Sequence, residues 1–229
     1  MIYLPRKPSA VVFDMDGLIF DTEALYRDAV LAAALERGLD MPLPLYLSTI
    51  GLSGEATREF LGNHFGKDFN LEGFWTAATN HFHIMAETQL RLKPGVIELL
   101  DILEDAGLPW AIATSSSHQS VQHHLAAHGL LKRFNTIIAS GNYTHGKPHP
   151  EPFLRAADLL GVPPELCLAL EDSHNGIRAA CSAGMMTIMV PDLVEPTDDI
   201  RQLCLGVATD LHEVCDIVTS GRRDTDSML

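Results

Sequence analysis

Two carboxylates, Asp14 and Asp16, close the β-favouring run Ala10-Val11-Val12-Phe13 and stand just before Gly17. Side chains alternate along a strand, so residues two apart share a face, and a glycine beyond them lets the backbone turn away. Two carboxylates about 4 Å apart repel by roughly 4 kcal/mol at an effective dielectric near 20. A divalent cation, or a proton resident on one of the pair, offsets that repulsion. A calcium loop fits poorly, because the apolar Leu18-Ile19-Phe20 stands where further oxygen ligands are needed.

Three other polar clusters follow: Thr114-Ser115-Ser116-Ser117, Gly146-Lys147-Pro148 and Glu171-Asp172-Ser173. Singly, each has a plain reading as a helix cap, a solvated lysine or the start of a helix favoured by its dipole. Together they match what phosphoryl transfer asks for: a nucleophile, an acid/base, donors for the phosphoryl oxygens, a fixed cation and a metal site. Asp14, Asp16, Thr114 with the N–H of Ser115, Lys147 and Asp172 supply these in turn.

The elements that must position these groups alternate in the second half of the chain. Helix 95–106 leads to strand 109–113, a helix ending at His128, strand 136–140, helix 151–160, strand 166–170, a helix ending at Ala183 and a last clear strand, 186–190. Such spacing implies right-handed crossovers, an α/β fold with a Rossmann-like parallel sheet and helices on both faces. Ligands of such sheets bind beyond the C-terminal strand ends, where strand order reverses, and every polar cluster above lies there. Between the first strand and Lys93 only helix signals occur, at 24–37, 54–64 and 71–90, separated by Pro42-Leu43-Pro44 and Gly66-Lys67-Asp68. The expected division is a core of residues 1–20 and 93–229, a helical cap inserted at 21–92 and hinged near Phe20-Asp21 and Leu92-Pro94, and a frayed tail at 220–229.

The 229 residues carry 30 acidic and 16 basic side chains, a net charge of −14. Such a surface repels nucleic acid and anionic membrane, so neither is an expected partner, and a phosphate site has to be positive locally. Cys167, Cys181, Cys204 and Cys215 form no Cys-x-x-Cys pair and sit among apolar residues, which reads as reduced thiols in a cytoplasmic protein. No apolar run is long enough for a membrane span, and residues 1–10 lack the apolar segment of a secretory signal.

Asp14-Met15-Asp16-Gly17, Ala113-Thr114-Ser115, Gly146-Lys147-Pro148 and Leu170-Glu171-Asp172-Ser173 resemble the four ordered motifs of the haloacid dehalogenase superfamily. The match is to the branch with a helical cap after the first motif, which holds sugar-phosphate phosphatases, phosphoglycolate phosphatases and β-phosphoglucomutase. The resemblance implies that Asp14 becomes an aspartyl phosphate and that Asp16 is general acid and then base. It implies that Thr114, Ser115 and Lys147 hold phosphoryl oxygens. Mg²⁺ is the implied cofactor, bound by Asp14, Asp172 and the backbone carbonyl of Asp16, with Glu171 a secondary ligand; an all-oxygen site also suits that ion on chemical grounds.

Asp16 separates the chemistries found in such relatives. Expelling halide needs no proton donor, whereas expelling an alkoxide does, so phosphate-ester chemistry is favoured. Mutases of this branch carry cap cations that grip a second phosphate; here Gly54 follows Gly51-Leu52-Ser53, Tyr26 takes an early cap-helix position and no lysine lies between Asp68 and Lys93. Hydrolysis of a small phosphorylated metabolite, most simply a sugar phosphate, is the expectation, and β-phosphoglucomutase-like transfer is the alternative. A receiver-like signalling domain also combines acids, a hydroxyl and a lysine, but the inserted cap and the acid at position 16 argue against it.

Substrate selection falls to Leu18, Tyr26, Ser53, Glu55, Arg58 and Trp75, each of which also reads as ordinary packing or solvated helix face. His124 and His128, four apart on one helix, invite a zinc reading, yet no third or fourth ligand accompanies them and a wet helix face is expected instead. The chain is expected to be a monomer or weak oligomer.

Overall fold

A computed structural model describes residues 2–50, 54–66 and 69–220. Contacts divide the chain into two compact units, Met1–Asp21 with Arg91–Leu229, and Thr22–Leu90.

The first unit is built on a sheet of β1 (Ala10–Phe13), β2 (Trp110–Ser117), β3 (Ile137–Ser140), β4 (Cys167–Glu171), β5 (Met186–Met189) and β6 (Gly206–Val207). Strand order is β3-β2-β1-β4-β5-β6 and every pairing is parallel. β1 is short and wholly buried because it is paired on both sides, Val12 standing opposite Ala111 on one neighbour and Ala169 on the other. Continuous apolar runs such as Ala-Val-Val-Phe are what a strand covered on both faces requires. Helices α5 (Val96–Asp105), α6 (His118–Ala127), α7 (Glu151–Leu160) and α8 (His174–Ser182) make the crossovers. Phe153, Ala156 and Ala157 of α7 and Ala179 and Ala180 of α8 pack with Ala10, Val12, Ala113 and Ala169 in one core cluster. Alternate residues face the other way, where Phe13 meets the ring of Phe134 edge-on at 6.1 Å.

α9 (Asp198–Leu203), the two-residue β6 and α10 (Leu211–Ser220) follow β5, and β6 extends the sheet beyond the strand that the sequence pattern marks, at 186–190, as the last clear one. β6 is too short to carry any periodicity. α10 packs on α5 and buries Leu211, Val214, Cys215 and Val218, a helical spacing. Ser220, where a frayed tail is expected to start, is the last residue of α10, and residues 221–229 lie outside the described residues.

The second unit is helical: α1 (Thr22–Glu36), α2 (Leu43–Leu47), α3 (Gly54–Phe65) and α4 (Leu71–Gln89). α1 and α4 pack along each other, with Val30, Ala33, Ala34, Leu61, Phe74 and Ala78 at the centre. Asn70 caps α4, its Oδ1 accepting from the Gly73 N–H at 2.9 Å. Pro42-Leu43-Pro44 proves to be more than a separator: it opens α2, prolines being tolerated in a first helical turn where no N–H has an intrahelical partner. Where the chain leaves and re-enters the core unit it is tied, the Asp21 N–H donating to Arg91 O at 2.9 Å and the Lys93 N–H to Ile19 O at 2.9 Å.

Among the described residues no helix is long and apolar enough to cross a membrane.

Candidate active site

The C-terminal ends of β1, β2 and β4 lie side by side, and the order reverses at β1: one neighbour comes from residues 110–117, the other from 167–171. Asp14 follows β1, its N–H donating to Leu170 O of β4 at 2.9 Å, and its side chain is buried. The Lys147 ammonium, 7% exposed, makes a short contact with Asp14 Oδ1 and donates to Glu171 Oε1 at 2.6 Å. Glu171 is fully buried and its other oxygen accepts from Ser173 N at 2.8 Å and Ser173 Oγ at 2.9 Å. Both of its oxygens are therefore engaged, and its foremost task is to hold Lys147 against the end of β1.

Burial pushes the Asp14 carboxyl up to about 8; the Lys147 ammonium opposes the rise, while the charges of Glu171 and Asp16 add to it. Burial alone would lower the Lys147 pKa, but Asp14 and Glu171 outweigh it and hold the ammonium above its ordinary value. Lys147 stays charged at any physiological pH.

Asp16 has different partners. Its Oδ2 accepts from Ser116 Oγ at 2.6 Å and from Thr114 Oγ1 at 3.3 Å, and the Thr114 hydroxyl in turn accepts from the Ser116 N–H at 3.0 Å. Tyr143 fixes this strand end by donating to Thr114 O at 3.1 Å. β2 runs on to Ser117 rather than stopping at Ala113, and that extension carries the hydroxyls over Asp16. Ser115, proposed for the phosphate, is exposed on the same stretch.

The residues fit a divalent cation. One carboxylate oxygen from each of Asp14, Glu171 and Asp172 lies within 4.8 Å of the others, an all-oxygen donor set. The Asp16 carboxylate is not part of that group. Gly17 makes the cluster possible: φ is +81°, and a Cβ there would lie 2.1 Å from Asp172 Oδ2. Asp192 is a further carboxylate at this edge, 10% exposed, with Oδ1 bonded to Lys93 Nζ at 2.7 Å and a buried Oδ2 that has no hydrogen-bond partner. That oxygen is 3.4 Å from the same Gly17 Cβ position. A buried acceptor without a donor costs about 1–3 kcal/mol, which a hydrated cation nearby would relieve.

Sequence reasoning missed Ser116, Lys93 and Asp192. For Asp192 the signal was present, since an acid just beyond β5 repeats the pattern that singles out Asp14 and Asp172. His124 is a correction. It is 4% exposed, not on a wet face, its ring 5.6 Å from that of Phe20, with His128 5.0 Å away from the same ring.

Of the residues expected to select substrate, Leu18 belongs to the core unit and is 1% exposed, so it presents no open surface. Tyr26 and Trp75 stack in the helical unit at 6.4 Å and line a hollow of about 400 Å³ with Glu23, Tyr46, Thr49 and Thr57. Arg58 lines a different hollow, of about 410 Å³, in which Trp75 also takes part. Glu55 is exposed, and Ser53 lies outside the described residues.

An acid pair at the middle of a parallel sheet, a buried lysine and a carboxylate cluster agree with what comparison with known proteins gives. The family described as haloacid dehalogenase-like hydrolase matches residues 8–184, and the chain belongs to that family. A Bacillus subtilis (strain 168) protein, "Putative phosphatase YhcW", is 37% identical over 189 residues, 82% of this chain and 86% of its own length. The Drosophila melanogaster "Probable pseudouridine-5'-phosphatase" is 36% identical over 193 residues, 82% of this chain and 83% of that one. A solved structure from Thermotoga maritima, described as a "putative beta-phosphoglucomutase", is similar with a TM-score of 0.80 at 26% identity, covering 93% of this chain and 99% of that one.

Proposed function

We propose that this hydrolase is a Mg²⁺-dependent phosphatase that cleaves small organic phosphate monoesters, sugar phosphates foremost, through an aspartyl phosphate on Asp14. The observation that carries the reading is the separation of partners: Lys147 on Asp14, the Ser116 and Thr114 hydroxyls on Asp16. It gives two neighbouring carboxyls two different tasks.

An Asp14 oxygen attacks phosphorus while the bond from phosphorus to the ester oxygen breaks, and Asp16 delivers its proton to the departing alkoxide. Asp16, now ionised, takes a proton from water as that water attacks the phosphorus carried on Asp14. Inorganic phosphate leaves, and both carboxyls return to their starting states. Lys147 and the donors of Thr114 and Ser115 offset the charge on the phosphoryl oxygens. Bound by Asp14, Asp172 and the Asp16 carbonyl, Mg²⁺ would supply further positive charge to those oxygens.

Two relatives described as phosphatases support hydrolysis, one of them named for a phosphorylated nucleoside. The Thermotoga structure, described as a mutase, favours a second reading in which the phosphoryl group returns to a sugar. A phosphate-release screen over sugar phosphates and other small esters with Mg²⁺ separates them. Release by the native chain, abolished in Asp14→Asn, supports the proposal. Efficient phosphoryl return from a sugar bisphosphate to a monophosphate with little free phosphate overturns it, as does a lasting aspartyl phosphate without turnover.

A further inference from the structure

The segment that carries Lys147 holds a second set of groups that the chemistry above does not use. His145 and His149 flank the lysine on either side, both exposed, with ring centroids 4.7 Å apart and planes inclined by 35°. Glu151, the first residue of α7, completes the set: one ligand atom from each of the three residues lies within 4.8 Å of the others.

These side chains are already held in place. Glu151 Oε1 accepts from the Thr144 N–H at 3.0 Å and Arg155 Nε at 2.9 Å, and Oε2 from the His145 N–H at 2.9 Å. Each imidazole has one long contact through Nδ1, His145 to Glu151 Oε2 at 3.2 Å and His149 to the Glu151 N–H at 3.2 Å. Contacts of that length give way readily to a metal–nitrogen bond, and a carboxylate already fixed by N–H donors loses little freedom on ligation.

We propose that His145, His149 and Glu151 form a binding site for one divalent transition-metal ion of the Zn²⁺, Ni²⁺ or Cu²⁺ kind, separate from the all-oxygen cluster around Asp14. Imidazole nitrogen suits these ions, whereas Mg²⁺ takes oxygen, so the two sites sort cations by donor type. Two imidazoles and one carboxylate leave the remaining positions to water, as befits an exposed site. The net charge of −14 draws cations to the surface. With its two nitrogen ligands on either side of Lys147, the bound ion ties residues 145–151 together, whichever ester the Asp14 site accepts.

Zn²⁺ is titrated calorimetrically into the full chain with saturating Mg²⁺ present to occupy the oxygen cluster, and Cu²⁺ is followed by electron paramagnetic resonance. The expected result is one ion per chain, nitrogen hyperfine structure in the Cu²⁺ spectrum, slower amide exchange across 144–151 with Zn²⁺, and a loss of affinity of roughly tenfold or more in His145→Ala and in His149→Ala. His123→Ala, which removes an exposed histidine elsewhere, leaves the titration unchanged. Native affinity and stoichiometry retained in the His145→Ala/His149→Ala double variant overturn the proposal, as does a Cu²⁺ spectrum of oxygen donors alone. Both rings are exposed, so the variants keep the fold and either result is readable.

Discussion

Lys147 Nζ and Glu171 Oε1 form an ion pair 2.6 Å long in which the carboxylate is wholly buried and the lysine 7% exposed. Because the same ammonium contacts Asp14, one lysine fastens the ends of β1 and β4 together. Lys147→Met leaves two buried carboxylates without a counter-charge, and the expected cost is about 3–5 kcal/mol. Urea unfolding at neutral pH checks it; a loss below 1 kcal/mol contradicts the claim that the pair supports the fold as well as the site.

Gly176 lies on α8 where a Cβ would be 1.6 Å from Glu171 Oε1. Gly176→Ala therefore drives Glu171 off Lys147, and although alanine is the better helix former by roughly 1 kcal/mol, the clash dominates. The variant is expected to be less stable than the native chain in thermal unfolding. The companion Glu171→Gln/Gly176→Ala regains nothing, because the glutamine amide is as large as the carboxylate.

Ser116 Oγ holds Asp16 at 2.6 Å, whereas the hydrogen bonds of Lys147 go to Asp14 and Glu171. Ser116→Ala frees the acid/base to wander, which is expected to reduce kcat about tenfold while KM stays near the native value. Ser116→Thr keeps the hydroxyl and restores most of the rate. Steady-state kinetics on any ester found in the release screen decides the matter, and an equal fall in both variants points to packing instead.

Removal of divalent cations by EDTA is expected to abolish phosphate release, and added Mg²⁺ to restore it. Asp192→Asn weakens Mg²⁺ binding about tenfold if the unpartnered Oδ2 faces the hydrated ion. Calorimetric titration of Mg²⁺ reads this directly. Unchanged affinity with lowered stability would mean that Asp192 serves Lys93 alone.

Burial pushes the thiols of Cys167 and Cys215 up to about 11 from 9.0. Each favours the folded state fully below the unfolded pKa, since the folded chain keeps the neutral thiol it can accommodate. That contribution is lost as pH rises from 9 through 11, because only the unfolded chain gains by ionising. Denaturation at pH 8, 9.5 and 11 should show a smaller decline in Cys167→Ala than in the native chain.

The sheet was legible in the sequence because its strands are buried on both faces and read as short apolar runs between turn residues; helix 151–160 is found with the very bounds the pattern indicates. β6 was not legible, two residues being too few for any period, and His124 misled because tertiary packing against Phe20 buries a residue that composition alone leaves in water. In the site, Asp14, Asp16 and Asp172 stand out as charges at apolar strand ends, and Lys147 as the lysine of the loop beyond β3. In the run Thr114 to Ser117 the sequence reading singles out Thr114 and Ser115, and only the continuation of β2 shows that Ser116 joins Thr114 over Asp16. Gly17 was read as a turn; that its missing Cβ also makes room for Asp172 needs coordinates.

The strand at the centre of the sheet is the first to be made. β1 pairs with residues 110–112 on one side and 167–170 on the other, so it waits for about 150 residues of synthesis before both edges are covered, on the order of ten to thirty seconds on a ribosome. Until residues 110–112 emerge both rows of its backbone donors and acceptors are open, and one row stays open until 167–170 follow, while the helical unit between, held by nearer contacts, already has its partners. Newly made protein is thus most exposed to aggregation or chaperone capture at Ala10–Phe13, and a ribosome stalled before residue 167 should leave that segment open to protease while residues 22–90 resist.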